Sequence, residues 1–68
     1  MKAAPVVIEY TNHRGDRGKR VIKPILIEFT SSLWHPEPQW VLVAFDVEKS
    51  ARRGFALKDI HSWEPAPE

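Results

Sequence analysis

Apolar and polar residues alternate over short stretches of this chain, and the period of the alternation is two. In the segment PVVIEYT near the N-terminus, Val6, Ile8 and Tyr10 fall on one side, separated by Val7 and Glu9. This period is typical of β-strands, and no long segment shows the 3.6-residue period of an α-helix. The pattern therefore predicts an all-β fold.

Runs of β-branched and aromatic residues predict four further strands, at 19–29, 40–48, 52–58 and the end of 59–63. Pro24 interrupts the second strand, and because proline has no N–H we expect a bulge, a bend or an edge position there. Five short strands fit a small, strongly bent barrel, whose closure hides strand edges. We expect one domain over residues 1–68, with the barrel at about 4–63 and a flexible tail at 64–68.

The strand WVLVAFD is apolar on both faces. Trp40, Leu42 and Ala44 point one way and the intervening side chains the other, so both faces need cover. The barrel interior covers one face. The second is covered either by Trp34 and Trp63 of the same chain or by a homodimer or other protein partner. The residues expected at such an interaction surface are Trp34, His35, Val41, Val43 and Phe45.

The preceding segment, LWHPEPQW, combines two tryptophans with two prolines. Proline restricts the backbone to extended conformations, so the segment is expected to form a rigid lid. In this interpretation Trp40 plugs the barrel, and Trp34 covers an apolar shoulder. A rigid aromatic loop suits recognition because little entropy is lost on binding.

Composition narrows the possible functions. There are no cysteines, the net charge is +1, and the longest apolar run is much shorter than the roughly 20 residues of a membrane span. We expect a soluble, cytoplasmic protein with no membrane association. The three histidines lack metal-ligand spacing, and no nucleophile motif or phosphate loop is present. We therefore expect no enzyme activity, no metal and no cofactor.

Basic residues cluster in the first hairpin. Four of them are Arg14, Arg17, Arg20 and Lys23, and Arg53 belongs to a second basic group. If the two groups meet beside exposed aromatic rings, they favour single-stranded nucleic acid, whose backbone is held by cations and whose bases stack on rings. The alternative is a solvated hairpin whose charges keep a strand edge soluble. For Arg53, the alternatives are a rim position pointing outward and an anion contact in a shallow groove.

Several motifs occur in a characteristic order. Tyr10, Asn12, Gly15, Arg20 and Pro24 form Y-x-N-x-x-G followed by R-x-x-x-P; next come Trp40-Val41-Leu42, and then the run RGFAL with Ile60. In this succession the chain resembles the WYL domain of bacterial regulators, over roughly residues 4–63.

The resemblance implies a barrel of the Sm-like, Src-homology-3 type that binds or senses nucleic acid or a nucleotide-like ligand. It implies contacts at Tyr10, Arg20, Trp40 and Arg53. We accordingly expect a binding module that contacts nucleic acid or an anionic ligand through basic and aromatic residues. The alternative is a homo-oligomeric or protein-interaction module that uses the outer face of strand 40–45 and the tryptophan loop.

The chain departs from the family pattern in three respects. It has no helix-turn-helix, so we expect a stand-alone module. Val41 replaces the tyrosine of the triplet, which removes a hydroxyl group. Asp59 stands where the family often has an arginine, and this exchange is unfavourable for a phosphate site.

Overall fold

A computed structural model describes residues 4–31 and 36–67 of the chain. The architecture is all-β, with five antiparallel strands in one sheet. The strands are β1 (Val6–Thr11), β2 (Arg17–Thr30), β3 (Gln39–Asp46), β4 (Ala51–Ala56) and β5 (Ile60–Pro65). A short 3₁₀ helix, Leu57–Asp59, links β4 to β5. No helix in the described ranges is long and apolar enough to serve as a transmembrane segment.

The strand order in the sheet is β4-β3-β2-β1-β5. The first four strands form a meander, and β5 returns to pair with β1. In the described part of the chain β4 and β5 remain the two edges, because no ladder joins them. β5 extends to Pro65, beyond the expected barrel boundary at residue 63, because Val6 pairs with Pro65.

β2 is long and pairs with two different strands along its length. Its first half pairs with β1 as far as the Val6–Ile22 pair, and its second half pairs with β3. The register shifts between Pro24 and Leu26, so the irregularity predicted at the proline is confirmed. This shift lets one strand change direction and belong to both halves of the sheet.

The hydrophobic core lies on one face of the sheet, which we call the inner face; the opposite face is the outer face. The core cluster consists of Ile8, Tyr10, Ile22, Leu42, Ala44 and Phe55. Full burial of an isoleucine or leucine side chain contributes about 1.5–3 kcal/mol. The alternation that predicted β1 also predicted which side chains of that strand are buried, because Ile8 and Tyr10 both belong to the core.

The sheet curls strongly around this core. The rings of Tyr10 on β1 and Phe55 on β4 meet edge to face, with centroids 5.0 Å apart. In a flat sheet three strand spacings, about 14 Å, would separate them. The contact therefore requires that β4 and β1 approach one another across the inner face.

Trp40 does not occupy the core, so the prediction that it plugs a barrel is wrong. Its side chain is 54% exposed and packs edge to face against Phe29, at a centroid distance of 5.4 Å. The two rings lie at the far ends of β2 and β3, where β1 no longer faces them. A tryptophan beyond the region of strand overlap has no opposing layer to cover it.

Candidate functional site

Tyr10 lies at the centre of the inner face. Its side chain is buried beside Phe55, and burial is the main reason that the pKa of its hydroxyl lies above the ordinary 10.0. An interaction with the backbone of Ala56 lowers this pKa, and the charge of Asp59 raises it. The positive charges of Arg53 and Arg20 lower it. The hydroxyl thus lies in the electrostatic field of groups from three other elements.

Arg20 and Arg53 influence the pKa of this tyrosine from different strands. Arg20 on β2 is directly opposite Ile8 on β1, and Arg53 on β4 is directly opposite Ala44 on β3. Directly opposed residues in antiparallel strands point to the same face, so both arginines belong to the inner face. The sequence allows Arg53 either an outward rim position or a position in a groove; in the structure its side chain is exposed, and its charge lowers the pKa of Tyr10.

Neither arginine forms an ion pair with a residue in the described ranges. Arg20 donates one hydrogen bond, from Nη1 to the backbone oxygen of Lys19, at 3.1 Å. The ion pair that is present joins the Nε of Arg17 to Oε2 of Glu9 at 2.6 Å. Most of the donors on Arg20 and Arg53 therefore remain available to a ligand.

The remaining basic residues of the hairpin do not join this group. Arg17 is opposite Thr11, one position from Tyr10, and Lys23 is opposite Phe45. Both side chains consequently lie on the outer face. Arg14 is exposed in the turn between β1 and β2, where its backbone N–H donates to Oδ1 of Asn12 at 2.9 Å. The structure thus divides the predicted basic cluster between two faces and a turn.

The predicted interaction surface on the outer face of β3 is partly covered. Val41 is buried, Val43 is half-buried and Phe45 is exposed. A Cβ atom at Gly54 would lie 3.0 Å from Cγ1 of Val41, which shows how closely β4 packs there. Trp34 and His35 lie outside the described residues.

Trp63 belongs to the inner face, so it does not cover the outer face, which was one of the alternatives that the sequence allowed. It is opposite Ile8, so Arg20, Ile8 and Trp63 form one row across three strands, and the tryptophan is 44% exposed. The register between β1 and β5 shifts between Glu9 and Tyr10. Because this irregularity breaks the alternation of β5, the face of Trp63 could not be read from the sequence.

In the ranges 4–31 and 36–67, no three side chains of histidine, aspartate or glutamate come together as a metal site would require. Around Tyr10 the chemistry of the inner face is instead that of a tyrosine, two arginines and one carboxylate, Asp59. A second carboxylate, Asp46, is buried on the same face opposite Ile22. Such a set can bind an anion by charge and hydrogen bonds, with the carboxylate opposing it.

The curled five-stranded sheet, with Tyr10 and two arginines on its inner face, places the chain in the class of small all-β domains. Within this class the family is clear, because the model of the WYL domain matches residues 1–65 and the chain therefore belongs to the WYL domain family. WYL domains are generally modules that sense a ligand or nucleic acid. A search among curated proteins finds no match.

Proposed function

We propose that this WYL domain is a non-enzymatic cytoplasmic module that binds an anionic ligand, single-stranded nucleic acid or a nucleotide, on its inner face. The observation that carries the proposal is that Arg20 and Arg53, on two strands that are not neighbours, share the inner face with Tyr10, and both lower the pKa of its hydroxyl. Guanidinium groups donate two parallel hydrogen bonds to phosphate, which makes arginine well suited to this ligand class.

Aromatic surface beside the arginines supports a ligand that carries bases. Trp63 offers an exposed ring in the same row as Arg20. Bases stack on such rings with about 1–3 kcal/mol each, and the energy depends little on which base is bound. The expected preference is therefore for single-stranded over double-stranded nucleic acid, since paired bases cannot reach a ring.

The proposal includes a barrel-like shape of the Sm-like type for the binding surface. Support comes from the strand order, with β4 and β5 at the edges, and from the contact between Tyr10 and Phe55 that curls the sheet. In a curled sheet, inner-face residues of distant strands approach each other, which is why Arg20 and Arg53 can act on one ligand.

Binding of a labelled single-stranded oligonucleotide, followed by fluorescence anisotropy at two salt concentrations, tests the proposal. We expect binding that weakens with salt. Replacing Arg53→Gln should weaken binding roughly tenfold, the loss of about one charged hydrogen bond. It should also reduce the slope of log K against log salt by roughly 0.7.

The matched control is Arg52→Gln, which removes the same charge from the adjacent residue. Arg52 is opposite Phe45, on the outer face, so its replacement should change binding little. Competition with a nucleoside monophosphate and with inorganic phosphate distinguishes a nucleotide from a simple anion. Absence of binding to all three probes at low salt would contradict the proposal, as would equal losses in the two variants.

A protein-interaction role is the second candidate. It is favoured by a specific observation, the large apolar side chains that remain exposed on β2 and β3. That surface does not coincide with the inner face around Tyr10, so the two roles are compatible.

A further inference from the structure

Exposed apolar side chains concentrate at one end of the sheet, which we call the arm: residues 25–30 of β2 with residues 39–43 of β3. On its inner face, Ile27 is 53%, Phe29 59% and Trp40 54% exposed. Ile25 and Leu26 are also exposed. Ile27, Phe29 and Trp40 share the inner face and leave on the order of 300 Å² of apolar surface uncovered there, given that a whole aromatic ring offers roughly 150–250 Å². Leu26 adds apolar surface on the outer face. Patches of this size on a small protein are often functional.

The arm also has an open backbone edge. The ladder between β1 and β2 ends at the pair Val6–Ile22, so beyond that point β2 has β3 on one side and no strand on the other among the described residues. Edges of this kind are normally protected by charges or proline, because they pair readily with another strand. Here Pro24 precedes the arm, and Glu28 is the only charge within its β2 segment.

Beside the arm, a cleft of about 350 Å³ deepens the apolar surface. It is lined by Phe29, Pro38, Gln39, Trp40, Leu57 and Lys58. Apart from Lys58 at its margin, the lining carries no charge. A side chain from another molecule that lies along the arm would find this cleft next to the Phe29–Trp40 pair.

A second copy of this chain fits the arm better than an unrelated surface does. Its β2 has the same open edge, so antiparallel pairing about a two-fold axis closes both edges at once. Lys23 and Glu28 both lie on the outer face, opposite Phe45 and Val41 respectively. Antiparallel pairing brings the Lys23 end of one strand beside the Glu28 end of the other, twice in each dimer.

The surface area that the arm can bury is also of the order that a stable dimer needs. A stable interface buries roughly 800 Å² on each partner, and the inner-face apolar side chains of the arm supply somewhat under half of that. The backbone edge and the polar residues around the arm supply the remainder. With a net charge of only +1 per chain, electrostatic repulsion between two copies is small.

We propose that two copies of this chain form a two-fold dimer through the arm, with β2 pairing against β2 so that the exposed Ile27 and Phe29 of each copy pack beside the inner-face side chains of the other. This inference is independent of the proposed ligand site, which lies around Tyr10. Each half of the dimer keeps its own Arg20 and Arg53.

Light scattering coupled to size exclusion, over a dilution series of the whole chain, tests the dimer. We expect the mass of two chains at high concentration and of one chain after dilution. Ile27→Lys should weaken dimerisation by about a hundredfold or more, because two unpaired lysines would be buried in each interface. Val47→Lys is the control: Val47 is also exposed but follows β3 at its other end, so that variant should dimerise like the original chain.

Charge reversal tests the antiparallel orientation with variants that change only exposed residues. Lys23→Glu alone and Glu28→Lys alone should each weaken the dimer roughly five- to tenfold, and the double variant should recover most of the loss. Circular dichroism confirms that each variant retains its β-structure.

Three results would overturn the inference. One is the mass of a single chain at every concentration up to about 1 mM, which corresponds to negligible affinity. The second is a dimer that withstands Ile27→Lys in a folded protein. The third is a double variant no better than the single variants.

Discussion

At the scale of single residues, the pKa of Tyr10 responds to the charges around the inner face. It is the only tyrosine in the chain, so its ionisation can be followed by ultraviolet absorbance without interference from another phenol. Burial and Asp59 raise its pKa, while Arg53 and Arg20 lower it. The balance of these charges is what a bound anion would change.

We expect Tyr10 to titrate above pH 10.0, and Arg53→Gln to move the midpoint higher still, because a stabilising positive charge is lost. Arg52→Gln, on the outer face, should leave the midpoint in place. Because the pKa of Tyr10 is raised in the folded state, folding favours the protonated hydroxyl. The resulting contribution to the free energy of unfolding is complete below pH 10.0 and is lost as the pH rises through the higher pKa of the folded state. A midpoint below 10.0 would show that the arginines outweigh burial.

A second prediction at the scale of single residues concerns Gly54. A Cβ there would lie 3.0 Å from Cγ1 of Val41, a buried side chain with little rotamer freedom. Gly54→Ala should therefore lower the free energy of unfolding by about 1 kcal/mol, measured with urea.

Gly18→Ala is the matched control for Gly54→Ala. A Cβ at Gly18 meets only Nη1 of Arg20, at 3.2 Å, and the end of an arginine can move aside. Stability should change by less than about 0.5 kcal/mol or increase slightly, since alanine restricts the unfolded chain. Equal destabilisation by the two substitutions would contradict the role given to Val41.

At the scale of elements, the turn between β1 and β2 depends on Asn12. Its Oδ1 accepts hydrogen bonds from the backbone N–H groups of Arg14, at 2.9 Å, and Asp16, at 3.0 Å. Its backbone oxygen accepts a third from Gly15, whose φ of 86° suits glycine. The turn of the hairpin that carries Arg20 is thus held by the side chain of Asn12 together with backbone hydrogen bonds.

Asn12→Ala should lower the free energy of unfolding by about 1–2 kcal/mol, because two backbone donors lose their acceptor. Asn12→Asp keeps an acceptor oxygen and should retain most of the stability. Urea unfolding of both variants provides the comparison. An alanine variant as stable as the original chain would show that water replaces the side chain at no cost.

At the scale of the whole molecule, dimerisation would link stability to concentration. If two chains pair only when folded, mass action raises the melting temperature as the protein concentration rises. We expect this dependence in the original chain and its loss in Ile27→Lys. A melting temperature that is independent of concentration in both proteins would argue against the dimer, whatever happens to oligonucleotide binding.

The sequence alone determined much of the fold. Its period of two predicted five strands and the inner face of β1, because alternation follows directly from backbone geometry. Pro24 predicted the irregularity in β2, because proline has no N–H to donate to a neighbouring strand. The motifs of the sequence placed Tyr10, Arg20 and Arg53 in a WYL domain, a family that the chain does belong to. These properties are local, or they depend on the order of residues along the chain.

Only the tertiary structure decided which side chains share a surface. The faces of Arg17 and Trp63 depend on strand register, and one register shift is enough to move a side chain to the other face. The exposure of Trp40 depends on where β1 stops covering β2, a long-range property that hydrophobicity does not encode. Residue types thus predicted the strands, while pairing between distant strands assembled the proposed ligand site and left the arm uncovered.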